Sequence, residues 1–156
     1  MTVEIERRFL LKHDGWRSQA SAPQTLHQGY ISVEKERTIR VRIIGDRAWL
    51  TLKGYISDFS RSEFEYEIPL EHARQMMDGM CPFKMEKRRY RVPYGGFVFE
   101  IDEYGGDNAP LIVAEIELPS EDARFEKPDW LGEEITSDGR FTNAYLSKHP
   151  YSAWEK

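Results

Sequence analysis

Apolar and polar residues alternate with period two along most of this chain. Val3 and Ile5 alternate with Glu4 and Glu6. Ile39, Val41 and Ile43 alternate with Arg40 and Arg42; after a turn at Gly45-Asp46, Leu50 and Leu52 alternate with Thr51 and Lys53. Such alternation marks a strand with one buried face, and the short turn joins two of these runs as a hairpin. RSEFEYEI sets Phe64, Tyr66 and Ile68 against Glu63, Glu65 and Glu67. EKRRYRV, a turn at Tyr94-Gly95-Gly96, and FVFEID come next, with Phe99 and Ile101 opposing Glu100 and Asp102. LIVAEIEL then sets Ala114, Ile116 and Leu118 against Glu115 and Glu117. Helical spacing is confined to short stretches. LEHARQMMDGM repeats apolar residues at Leu70, Ala73, Met76, Met77 and Met80 and ends near Gly79 and Pro82. SEDARFE, with Ser120 as its N-cap, and TNAYLSK are two further predicted helices. The pattern predicts a mainly β protein of α+β type, antiparallel, with strands numerous enough to close a barrel.

The polar faces of these strands are nearly pure charge, where an ordinary solvated face mixes Thr, Ser, Lys and Glu. The charges come in doublets two apart: Glu4/Glu6, Glu63/Glu65, Glu100/Asp102 and Glu115/Glu117 among the acids, Arg40/Arg42 and Lys87/Arg89 among the bases. Arg8, Lys53 and Arg61 are in phase with them. Residues two apart point to the same side of a strand, about 7 Å from one another. On an open sheet the doublets gain nothing from their spacing. In a closed sheet with these faces inward, they converge on one lumen. Clustered carboxylates suit a hard divalent cation such as Mg2+ or Mn2+. Clustered Arg and Lys suit a phosphate chain, which guanidinium forks grip through pairs of oxygens. A metal-bound polyphosphate needs both.

Composition narrows the class. A chain of 156 residues is long enough for one domain with a real core. A net charge of −5 argues against a general nucleic-acid binder, which needs a basic footprint. The single cysteine, Cys81, excludes an internal disulfide and has no histidine beside it, so it reads as structural. His13, His27, His72 and His149 are scattered without ligand spacing. With no signal-peptide pattern and no stretch of membrane-spanning length, the expected location is the cytoplasm, without membrane partners.

EIERRF in the first strand resembles the E-x-E-x-K signature of the CYTH superfamily, the triphosphate tunnel metalloenzymes. The resemblance continues in order through RVR at 40–42, TLKG around Lys53, SRSEFEYEI at 60–68, MEKRRY at 85–90, FEID at 99–102, VAEIEL at 113–118 and GEEIT at 132–136. It covers essentially the whole chain as one domain, 1–156. It implies an eight-stranded antiparallel closed β-barrel with charged residues of both signs lining a tunnel and helices packed outside. It also implies binding of a triphosphate and a divalent metal, Mg2+ or Mn2+. The short chain looks most like the small bacterial inorganic triphosphatases, which would split tripolyphosphate into pyrophosphate and phosphate. Relatives suggest a homodimer. One position departs from the signature: Arg8 stands where Lys is usual, keeping the charge but aiming a larger fork.

On this resemblance Glu4, Glu6, Glu63, Glu65, Glu100, Asp102, Glu115 and Glu117 are the candidate metal ligands. Arg8, Arg40, Arg42, Lys53, Arg61, Lys87 and Arg89 are the candidate phosphate grips. Lys87 also matches a family lysine proposed as general base; the alternative is one more clamp. Arg140 would reach a tunnel mouth. Phe64, Tyr66, Tyr90 and Phe99 are read as outer-face aromatics beneath helices, and Trp130 as a packing residue. Two other functions stay open: a nucleotidyl cyclase or hydrolase of an organic triphosphate such as ATP or thiamine triphosphate, and a non-catalytic polyphosphate- or nucleotide-binding module.

Overall fold

The computed structural model describes residues 3–154. The described strands are β1 (Val3–Leu11), β2 (Gln24–Glu34), β3 (Arg37–Ile44), β4 (Arg47–Tyr55), β5 (Ser60–Ile68), β6 (Phe83–Tyr94), β7 (Phe97–Tyr104), β8 (Ile112–Glu117) and β9 (Leu131–Glu134). The α-helices are α1 (Leu70–Gly79) and α2 (Asn143–Lys148). The sheet runs β5-β4-β3-β2-β6-β7-β8-β1, and β1 also pairs with β5, so eight antiparallel strands close on themselves. Closure leaves β1 with two partners on one side. Val3, Glu4 and Ile5 pair with β5, and Phe9 and Leu11 pair with the short β9, with a register shift between them.

Alternation sorts side chains into two environments. The outer faces of β1, β6, β7 and β8 bury Phe9, Val92, Phe99, Ile101, Ala114 and Ile116. Trp16 covers them from the 3-10 turn at Asp14–Gln19, together with Trp130, Leu118 and Phe125. Trp130 packs edge-on against Phe99, with ring centroids 5.2 Å apart. Helix α1 lies on the outside of β3 and β4, with Ala73 and Met77 against Val41, Ala48 and the buried Cys81. The other helix sits differently. Leu146 of α2 is fully buried with Met85, Tyr104, Val113 and Phe141. Met85, Tyr104 and Val113 are in phase with Lys87, Asp102 and Glu115, so α2 closes one end of the barrel while α1 coats its wall.

Three expectations need correction. Segment 120–126 is irregular and forms no helix; its acids Glu121 and Asp122 are taken up in side-chain bonds to Ser57, Ser60 and Ser120, and Phe125 supplies packing. Phe64 and Tyr66 are 42% and 58% exposed; α1 covers the neighbouring rows and leaves them open. Tyr90 and Phe99 are covered, but by the Trp16 turn and by Phe125 and Trp130 rather than by helices. Strand β2 has no counterpart in the charge pattern, because its inward residues Leu26, Gln28 and Tyr30 carry no charge and its register shifts between Tyr30 and Ser32. Among the described residues no helix is long and apolar enough to cross a membrane.

Candidate functional site

The inward faces enclose a cavity of about 690 Å³. Antiparallel register sets its wall. Glu4 lies opposite Arg61, Glu6 opposite Glu117, and Arg8 opposite Glu115. Glu100 faces Glu115, Lys53 faces Glu63, and Thr51 stands between Arg40 and Glu65. Every candidate named from the sequence lines the cavity except Lys87 and Asp102.

Those two lie behind the wall. Lys87 Nζ is 2.7 Å from Asp102 Oδ2, and both side chains are wholly buried. Arg89 donates to the same carboxylate, Nε to Oδ1 at 2.8 Å and an Nη to Oδ2 at 3.0 Å. Both Asp102 oxygens are therefore occupied, which separates Asp102 from the carboxylates that face the cavity. Burial acts to raise its pKa, but Arg89 and Lys87 outweigh burial and hold it well below the usual carboxylate range. Burial, then Arg89 and Arg42, bring Lys87 down to about 8 against the pull of Asp102.

The cavity carboxylates crowd one another. Arg61 reaches Glu4 at 3.1 Å and Glu6 at 2.7 Å, and Lys53 lies 2.9 Å from Glu4 and 3.3 Å from Glu63. Burial would raise Glu6, yet Arg61, Lys53 and Arg8 hold it at about 2. Glu115 moves the other way, to about 7, pushed by burial and then by Glu6 and Asp102. Glu117 is raised by burial and by Glu4, Glu6, Glu63 and Glu100, and Glu4 by burial and Glu6. Glu115 and Glu117 make no ion pair among the described residues and are the carboxylates short of positive charge.

The guanidiniums show the opposite shortage. Arg42 meets one acceptor, Gln28 Oε1 at 2.7 Å; Arg40 meets Thr51 Oγ1 at 3.3 Å and is 3.8 Å from Glu65. Burial, then Arg40 and Arg89, push Arg42 down to about 9, which leaves it charged at neutral pH. Arg8 Nε and Arg40 Nε are sealed from solvent with no hydrogen-bond partner among the described residues. A buried donor without an acceptor costs roughly 1–3 kcal/mol, and an anion with several oxygens would supply acceptors for the whole group.

Among the described residues, no three His, Cys, Asp or Glu side chains converge to hold a metal by themselves. That fits a small hard cation, which takes one or two carboxylates and completes its shell with substrate phosphate oxygens and water. The donor chemistry is hard oxygen throughout, and the raised Glu4, Glu115 and Glu117 are groups that a cation would return to their ionised form.

Sequence reasoning missed part of the wall. Tyr30, Lys35, Thr136, Asn143, Tyr145, Lys148 and His149 line the cavity as well; of these, Asn143 lies with Asp138 and Arg140 near the C-terminal pattern of the family that the sequence resembles. Lys35 sits in the tight β2–β3 turn and the last five come from a C-terminal stretch that folds across the barrel end, so no strand doublet announces them. Arg140 lines the cavity, as expected, but is held by Asp138, its Nη 2.6 Å from Oδ2.

Comparison with known proteins extends the picture. A model of the CYTH domain matches residues 2–144. An inorganic triphosphatase of Acetivibrio thermocellus is 42% identical over 157 aligned positions, spanning the full length of both chains. An inorganic triphosphatase of Nitrosomonas europaea is 34% identical over 150 positions, 93% of this chain and 97% of that one. A crystal structure of an inorganic triphosphatase superposes with a TM-score of 0.66 at 32% identity, covering 94% of this chain and 95% of that one.

Proposed function

The chain belongs to the CYTH family, and from that premise we propose that it hydrolyses inorganic tripolyphosphate to pyrophosphate and phosphate inside its barrel, with Mg2+ or Mn2+ as the required cation. The observation that carries this reading is the paired deficit in one cavity, guanidiniums lacking acceptors beside carboxylates lacking cations. A metal-loaded linear polyphosphate relieves both at once.

Arg8, Arg40, Arg42, Arg61, Arg89 and Lys53 would grip the phosphate chain. Phosphoryl transfer depends on such positioning and on neutralising the charge that spreads over the equatorial oxygens. Glu4, Glu6, Glu115 and Glu117, with Glu63, Glu65 and Glu100 beyond them, would hold the cation, which supplies charge neutralisation and orients the phosphates when bound. Water attacks a terminal phosphorus, the bridging P–O bond breaks, and pyrophosphate departs. Lys87 we assign a positioning role: its ammonium is buried against Asp102 and Asn143, and of these Asn143 lines the cavity. Asp102 shares that role, orienting Lys87 and Arg89 together.

Phosphate release measured side by side from tripolyphosphate, ATP and thiamine triphosphate, with Mg2+ or Mn2+, tests the reading. Tripolyphosphate is expected to turn over far faster than the other two. Cyclic AMP formed from ATP, or binding of all three without turnover, would overturn it.

A further inference from the structure

Asn143 opens helix α2 at the point where the helix meets the cavity. Its Oδ1 accepts two hydrogen bonds, from Tyr104 Oη at 2.6 Å and from Lys87 Nζ at 3.2 Å. An ammonium has donors only, so the amide must turn its oxygen toward Lys87. The orientation of this amide is thus fixed by the chemistry of its neighbour. Nδ2 is left facing the other way, and it has no hydrogen-bond partner among the described residues. The unpaired polar side-chain atoms sealed from solvent there are Arg8 Nε, Trp16 Nε1 and Arg40 Nε. Asn143 Nδ2 is not one of them, so it is accessible, and the space Asn143 lines is the charged cavity.

We propose that Asn143 is a substrate-binding residue whose amide Nδ2 donates to a phosphoryl oxygen of tripolyphosphate, at the end of the cavity that α2 closes. Lys87 and Tyr104 are the positioning residues that hold the amide in its donating orientation. The proposal rests on the triphosphatase reading above. It also gives the buried Lys87 a neighbour to orient: a fixed ammonium is an effective way to hold an amide oxygen. A neutral donor suits this place, because Lys87, whose ammonium donates to the amide oxygen, already lies near Arg89 and Arg42. A further cation there would add repulsion, whereas an amide adds a contact without charge.

The variants Asn143→Ala and Asn143→Asp separate the donor from the acceptor. Alanine removes both. Aspartate keeps an oxygen for Lys87 and Tyr104 but loses the N–H donors. With Mg2+ present, Asn143→Ala is expected to raise KM for tripolyphosphate at least roughly tenfold, with a smaller change in kcat. Asn143→Asp is expected to be no better than alanine. Thermal stabilisation by added tripolyphosphate, read on the wild type and both variants, reports the contact without turnover and should shrink in both variants. Recovery of the wild-type KM and thermal shift by Asn143→Asp would overturn the proposal, since Asn143 would then serve only as an acceptor. Wild-type behaviour of both variants would overturn it as well. A wild type that is stabilised by tripolyphosphate yet does not hydrolyse it contradicts the triphosphatase reading alone, and the thermal shifts still decide Asn143. A wild type without any shift contradicts both.

Discussion

Glu115 is the carboxyl most at odds with its surroundings. It is buried, lines the cavity close to Glu6 and Asp102, and is raised to about 7. A carboxyl raised in the folded state stabilises the fold below its unfolded value, near 4.5, and that contribution is lost as pH rises through about 7. Melted without metal, the protein is therefore expected to lose stability between pH 5 and pH 8. Glu115→Gln should lose less and melt a few degrees higher at pH 8; identical profiles for the two would contradict the crowding. Asp102 invites the opposite outcome. Asp102→Asn leaves Lys87 and Arg89 buried without their counter-charge and should cost about 3–5 kcal/mol, read by denaturant unfolding. An unchanged unfolding midpoint would show that Asp102 does not hold this network together. Much of this site was legible in the sequence, because a doublet two apart on a strand must share a face whatever its partners. The division of labour was not. Glu100 and Asp102 read as equals, yet Asp102 alone is sealed behind the wall, since Lys87 and Arg89 of β6 meet it there and α2 closes over them. Asn143 is a neutral residue on a helix and carries no charge pattern to betray it.

Strand β2 shows what period two leaves out. Its inward row, Leu26, Gln28 and Tyr30, faces charged neighbours, with Leu26 opposite Lys87 and Tyr30 opposite Arg40. That apolar and amide surface seals the barrel beneath the cations without adding to them. Its outward Gly29 is equally illegible. A Cβ there would meet Met77 Sδ at 2.6 Å and Cys81 Cβ at 2.8 Å, so the glycine is what lets α1 and the following turn lie close on the sheet. Gly29→Ala is expected to destabilise by about 1–3 kcal/mol through displaced packing, checked by denaturant melts; an unchanged midpoint would mean that α1 shifts freely. Helix α2 was predicted correctly from TNAYLSK, with Thr142 capping Tyr145 N–H. Its place at the barrel end was not predictable, because that depends on Leu146 finding Met85, Tyr104 and Val113 from three distant strands. The failed helix at SEDARFE is the converse case, in which local capping chemistry yields to the serines of the β4–β5 loop and β5 that bind Glu121.

At the scale of the molecule, one closure sets everything else. Pairing of Val3–Ile5 with β5 joins the two ends of the sheet and places Glu4 beside Arg61 and Lys53, residues some fifty to sixty positions away. The acidic net charge of the chain conceals an interior in which cations and anions interleave, with Arg8 Nε and Arg40 Nε left without acceptors and Glu117 raised among neighbouring acids. Closure was foreseeable from the number of alternating runs and from the resemblance, while the extra ninth strand and the cap over the barrel end depend on contacts that only the folded chain shows. The central claim is that the interior binds a polyphosphate and a divalent cation as one unit. The most direct measurement is a phosphorus-NMR time course of tripolyphosphate with the purified protein, in Mg2+ or Mn2+ and again with the cation chelated. One phosphate and one pyrophosphate should appear for each tripolyphosphate consumed, with turnover abolished by the chelator. Undiminished turnover under chelation, or no turnover with either cation, would contradict it.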